Sequence, residues 1–111
     1  MPREWRFRIE DILEAMGRIE RYTEGLDSES FAWDEKTVDP VLRNFGVIGE
    51  AVNHVPEEVC AAHPDLPWEP MRAMRNFVIH EYFGVSKEIL WTTLKNDLPP
   101  LVERLSTLLD R

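Results

Sequence analysis

With 111 residues, 43% of them hydrophobic and 31% charged, the chain has room for one core and not for two. Four Trp and five Phe set it apart from disordered chains, and a net charge of -8 excludes a broad electrostatic binder of nucleic acid, so any contact with RNA has to be local. The lone Cys60 has no partner for an internal disulfide and no flanking Cys or His run to suggest zinc, which fits a reducing cytoplasm. The N-terminus lacks the apolar core of a signal peptide, and no stretch approaches about 18 apolar residues, so one domain over residues 1–111, away from any membrane, is expected.

Ile9, Ile12, Leu13, Met16, Ile19 and Tyr22 recur at three- and four-residue steps between Arg and Glu, which predicts a long amphipathic helix ending near Gly25. Asp27-Ser28-Glu29-Ser30 reads as a turn, with Phe31 and Trp33 as apolar anchors of the connection. A second helix is expected from Asp39, an N-cap carboxylate, and Pro40, a first-turn proline; Val41, Leu42, Phe45, Ile48, Val52 and Val55 form its buried stripe. Gly46 and Gly49 lie on that helix, each costing about 1 kcal/mol of helix propensity relative to alanine, so their use is to let another helix come close.

Pro56-Glu57-Glu58 opens a short helix through Ala62, which His63-Pro64 closes. Pro67-Trp68-Glu69 starts a helix whose core side is Met71, Met74, Phe77 and Val78, with Gly84 as a left-handed C-cap. Ser86 caps the last long element, where Ile89, Leu90, Thr93 and Leu94 point inward until Asn96-Asp97-Leu98-Pro99-Pro100; there Asp97 caps a new start or the helix kinks. Leu101, Leu105, Leu108 and Leu109 finish the stripe, and with no repeat and no alternating strand pattern the expected fold is an all-α, antiparallel bundle of four or five helices.

The chemistry concentrates in Arg75-Asn76-Phe77-Val78-Ile79-His80-Glu81-Tyr82. Arginine offers a planar fork for phosphate, histidine changes charge near neutral pH, and tyrosine carries a hydroxyl open to modification. On an ideal helix Arg72, Asn76 and His80 share a face, whereas Arg75 and His80 diverge by roughly 140°. Either the helix loosens before Tyr82 or a two-fold partner supplies the missing group. From residue types alone a plainer reading stands beside this one: Arg75 pairs with a carboxylate, His80 satisfies a helix-end carbonyl, and Tyr82 packs.

Arginine, four residues, histidine, one residue, tyrosine resembles the signature of the HEPN-domain ribonucleases, filled by Arg75, His80 and Tyr82. Ile48-Gly49-Glu50-Ala51, Pro67-Trp68, Met74-Arg75-Asn76, His80-Glu81-Tyr82-Phe83-Gly84-Val85 and Asp97-Leu98-Pro99 are similar to the HepT-like branch, the toxin of minimal nucleotidyltransferase and HEPN pairs. The resemblance implies a HEPN-like bundle, a homodimer with the motifs near its interface, and RNA cleavage that needs no metal or other cofactor. It also implies a nucleotidyltransferase antitoxin as partner, which transfers AMP onto the motif tyrosine, here Tyr82. In such a site Arg75 and His80 are catalytic, and Asn76 and Tyr82 support them.

Other constellations are weaker. Glu50 and His54 stand four apart where di-iron bundles use a three-residue spacing on two helices. His80-Glu81 lacks the second histidine of a zinc protease, since Gly84 occupies its place. Arg3, Arg6 and Arg8 form a small basic cluster that reads as a solvated face. A second class of function stays open at this point: a non-catalytic helical module that binds a nucleotide or docks a nucleotidyltransferase. Intact Arg75 and His80 favour the enzyme, because a docking module has no need of both.

Overall fold

A computed structural model describes residues 4–80 and 87–110, with Ile79 and His80 described by their backbone alone. Tyr82, the Gly84 C-cap and the Ser86 N-cap lie outside the described residues. The helices run in the order α1 (Glu4–Thr23), α2 (Ser28–Trp33), α3 (Glu35–Asn53), α4 (Glu57–Ala62) and α5 (Trp68–Arg72). A tight 3-10 turn (Ala73–Arg75) leads into α6 (Asn76–His80); α7 (Lys87–Thr92) then passes through a wide π turn (Thr93–Asp97) into α8 (Leu98–Leu109). This is an all-α bundle in which α1 lies along α3, α8 packs on α1, and the segment from α5 to α6 packs on α3. Among the described residues no helix is long and apolar enough to cross a membrane.

Helix α1 buries Ile9, Ile12, Ala15, Met16, Ile19 and Thr23. Thr23, not Tyr22, takes the inward place one turn beyond Ile19, and its hydroxyl donates to the Ile19 carbonyl at 2.8 Å, which satisfies it in the core. Tyr22 is exposed. The chain then turns at Gly25, whose φ of 77° favours a residue without a Cβ.

The stretch expected as a turn is helix α2. Asp27 and Ser30 form a reciprocal capping box: the Ser30 N–H donates to the Asp27 carboxylate at 2.8 Å and the Asp27 N–H donates to the Ser30 hydroxyl at 2.9 Å. Donation from the Ser30 N–H, ahead of the influence of the Ser30 side chain, holds the Asp27 carboxyl below its ordinary range. One of the two expected anchors fails, because residues two apart on a helix point roughly 200° apart. Phe31 is buried and stacks on Trp91 at 5.1 Å, whereas Trp33 is 84% exposed.

Helix α3 starts earlier than Asp39-Pro40. Asp34 is its N-cap, accepting from the Thr37 N–H at 3.2 Å and the Thr37 hydroxyl at 2.8 Å, so Pro40 sits inside the helix. The early start brings Val38 into the core. Pro40 removes one backbone donor, and Asn44 makes local use of its carbonyl with a 2.8 Å bond.

The last element is not broken at Pro99-Pro100. The π turn widens the helix just before the two residues that cannot donate, and Asp97 makes no side-chain cap. Leu90, Leu94, Leu98, Leu101, Leu105 and Leu108 keep one buried stripe through it; Ile89, expected inside, is 57% exposed. Cys60 is buried in the core, and that burial raises its thiol above the ordinary range.

Candidate functional site

The two glycines of α3 position the motif segment. A Cβ on Gly49 would lie 2.7 Å from the Arg75 nitrogen, 2.8 Å from the Arg75 Cβ and 2.9 Å from the Arg72 carbonyl oxygen. No side chain fits between those backbones. One turn earlier, a Cβ on Gly46 would meet Val78 Cγ2 at 3.1 Å. Gly49 against Arg75 and Gly46 against Val78 fix the direction: α6 runs antiparallel to α3.

Above this seam Phe77 stacks on Phe45 with ring centroids 5.2 Å apart, and Met71 and Met74 are buried. Val78, expected as a core residue, is 38% exposed and forms the rim of a groove instead. The helix does loosen before Tyr82, at Ala73–Arg75. That turn ends at Arg75, so the five helical steps from Arg75 to His80 keep their divergence. Arg75 and Asn76 come together with Arg72, Asn53 and Glu69 around an open cleft of about 350 Å³. The backbone of His80 ends α6; its side chain and the whole of Tyr82 are not among the described parts.

The electrostatics add a residue that the sequence reading left aside. Glu50, next to Gly49, divides its carboxylate: Oε2 lies 3.9 Å from Arg75 Nη1 and Oε1 lies 3.3 Å from His54 Nε2. Arg75 therefore has the carboxylate neighbour of the plainer reading. Half-exposed pairs of this length contribute about 0–1 kcal/mol, so the guanidinium remains available to a phosphate. Arg72 is paired with Glu69 on its own helix. The signal for Glu50 was present in the sequence, since a glycine that admits another backbone sets its neighbour beside whatever arrives. Among the described residues no group of three His, Cys, Asp or Glu is arranged to hold a metal ion.

A second, larger groove of about 700 Å³ runs on the other side of Glu50, between α1 and α3, with Arg8, Asp11, Arg43, Glu50, His54 and Val78 on its walls. Arg75 lines the smaller cleft, and its neighbour Glu50 lines the larger groove.

A family model described as ribonuclease HepT-like matches residues 12–108. The chain is 42% identical over 101 residues to a protein of Thermococcus cleftensis named "Probable ribonuclease HepT", covering 91% of this chain and 92% of that one. It is 36% identical over 99 residues to "Putative RNase MJ0127" of Methanocaldococcus jannaschii, covering 89% of this chain and 82% of the relative. A protein of Caldanaerobacter subterraneus, also named as an RNase, is 32% identical over 103 residues, with 93% and 92% covered. No solved structure gives a significant match.

Proposed function

The chain belongs to the HepT-like ribonuclease family, and from that membership we propose that it is a metal-independent endoribonuclease, the toxin of a toxin-antitoxin pair, in which Arg75 and His80 cleave RNA. The observation that carries the reading is the seam at Gly49, which fixes the Arg75 backbone against α3 while its guanidinium faces an open cleft with Asn76. A phosphate-binding group on a rigid seat, exposed at the edge of the bundle, suits a polymer substrate better than an enclosed pocket would.

In the proposed reaction a base takes the proton of the 2′-hydroxyl as that oxygen attacks phosphorus. The bond to the 5′-oxygen breaks, an acid gives that oxygen a proton, and the products are a 2′,3′-cyclic phosphate and a 5′-hydroxyl. Arg75 stabilises the charge of the crowded phosphorane, and His80 moves a proton. Asn76 orients the phosphate, and Tyr82 keeps the network in register. In purified protein, free of antitoxin and in EDTA, RNA is cleaved and Arg75→Ala abolishes it; loss of cleavage in EDTA would end the metal-free reading.

Tyr82 is also the proposed point of control. Its hydroxyl oxygen attacks the α-phosphorus of ATP on a partner nucleotidyltransferase, pyrophosphate leaves, and the phenolic proton is released. The added AMP sets an anion beside Arg75, where it excludes RNA by charge and by volume. Tyr82→Phe retains part of the cleavage and takes up no AMP; an adduct of AMP on that variant, seen by intact mass, would place the control elsewhere. We further propose a two-fold homodimer with the motif segment near the interface, so light scattering is expected to exceed the monomer mass of 13.0 kDa. A monomer at micromolar concentration removes it.

A further inference from the structure

Cleavage as proposed needs both a base and an acid, on opposite sides of phosphorus, because attack and departure are in line. His80 supplies one such group per chain. A second imidazole that no part of the motif names is joined to Arg75 through Glu50. His54 is the C-cap residue of α3, half exposed, with Nε2 3.3 Å from Glu50 Oε1, and the other oxygen of that carboxylate is the one 3.9 Å from Arg75 Nη1. A carboxylate that holds one ring nitrogen fixes the ring's orientation and leaves the other nitrogen for a proton in flight.

The direction of α6 adds the second argument. Since Gly49 meets Arg75 and Gly46 meets Val78, α6 advances toward the N-terminal half of α3. The backbone of His80 therefore lies on one side of Arg75 along α3, and His54, a turn beyond Glu50, lies on the other. The groove on which His54 opens, about 700 Å³, has the size of a small-ligand site, roughly 300–1,000 Å³, which is room for a nucleotide flanking the scissile phosphate. Its charged walls are Arg8 and Asp11 from α1 and Asp39, Arg43 and Glu50 from α3, and Glu50 links it to Arg75, which lines the adjoining cleft.

We propose that His54, oriented by Glu50, is the second proton-transfer group of the ribonuclease site, supplied by the same chain as Arg75 and His80. This rests on the cleavage reading above and deepens it.

The test is kcat against pH for a single-stranded RNA oligonucleotide, with the full chain, His54→Gln, Arg75→Ala and His80→Ala. His54→Gln is expected to lower kcat by about 10²–10⁴-fold, to change KM by no more than about threefold, and to erase one limb of the bell-shaped profile. Its thermal midpoint stays near the parent's, since an exposed pair is all that is lost. A parental kcat overturns the proposal, and so does a slower enzyme that keeps both limbs, which marks a structural role. Should Arg75→Ala and His80→Ala cleave like the parent, the ribonuclease reading itself falls. If those two are inactive while His54→Gln keeps the parental rate, this inference alone is lost.

Discussion

Helix α3 is used in opposite ways on its two sides. On one side it buries Val38, Val41, Ile48 and Val52 in one cluster with Ile9, Ile12, Met16 and Ile19 of α1, and Phe45 of the same cluster stacks on Phe77. Toward the motif segment it presents Gly46 and Gly49, with Glu50 beside them; at Gly49 backbone meets backbone, and at Gly46 the Val78 side chain closes in. The first seam removes apolar area from water and supplies stability. The second seats the Arg75 backbone against α3 while leaving its guanidinium half exposed. Stability and chemistry are thus divided between two faces of one helix.

That division predicts which changes separate folding from activity. The largest effect on activity is expected from Arg75→Ala and His80→Ala, which remove the phosphate clamp and a proton carrier. On the other seam, Ile12→Ala empties a fully buried site and is expected to destabilise the fold by about 2–5 kcal/mol, measured by denaturant unfolding. Its folded fraction keeps the parental specific activity. Cleavage lost in step with nothing but Ile12 would merge the two seams. Gly49→Ala is smaller in stability, about 1–3 kcal/mol from overpacking, because a new Cβ meets backbone atoms at 2.7–2.9 Å and the segment has to shift. It nonetheless lowers cleavage well beyond its effect on unfolding. A Gly49→Ala protein with parental kcat would mean that the close approach does not position the site.

The apolar seam was legible in the sequence, because a helical period of apolar residues has one solution for which face is buried. The two glycines were legible for a related reason: in a helix they are unfavourable unless something comes close, and what comes close is the backbone of Arg72 and Arg75 at Gly49 and the Val78 side chain at Gly46. Capping signals misled. Asp27-Ser28-Glu29-Ser30 fits a turn and a capping box equally well, and Asp34 and Asp39 are both fit to start a helix; the choice fell to burial of Phe31 and Val38, which local sequence does not encode. Single apolar residues at the ends of stripes, Tyr22, Trp33, Val78 and Ile89, were assigned inward by type and point outward by register. At the site, the Arg75 seat followed from the motif and the glycines together. Its neighbours Glu50 and His54 lie on another helix, and only the packing of α6 on α3 brings Glu50 within reach of Arg75.

The central claim is that Arg75 and His80 carry RNA cleavage and contribute little to holding the bundle together. The most direct measurement pairs, in one preparation of His80→Ala, the rate of RNA cleavage in EDTA with the thermal unfolding midpoint. The account predicts cleavage reduced to background with a midpoint within a few degrees of the parent's. Cleavage at the parental rate by that well-folded variant would contradict it.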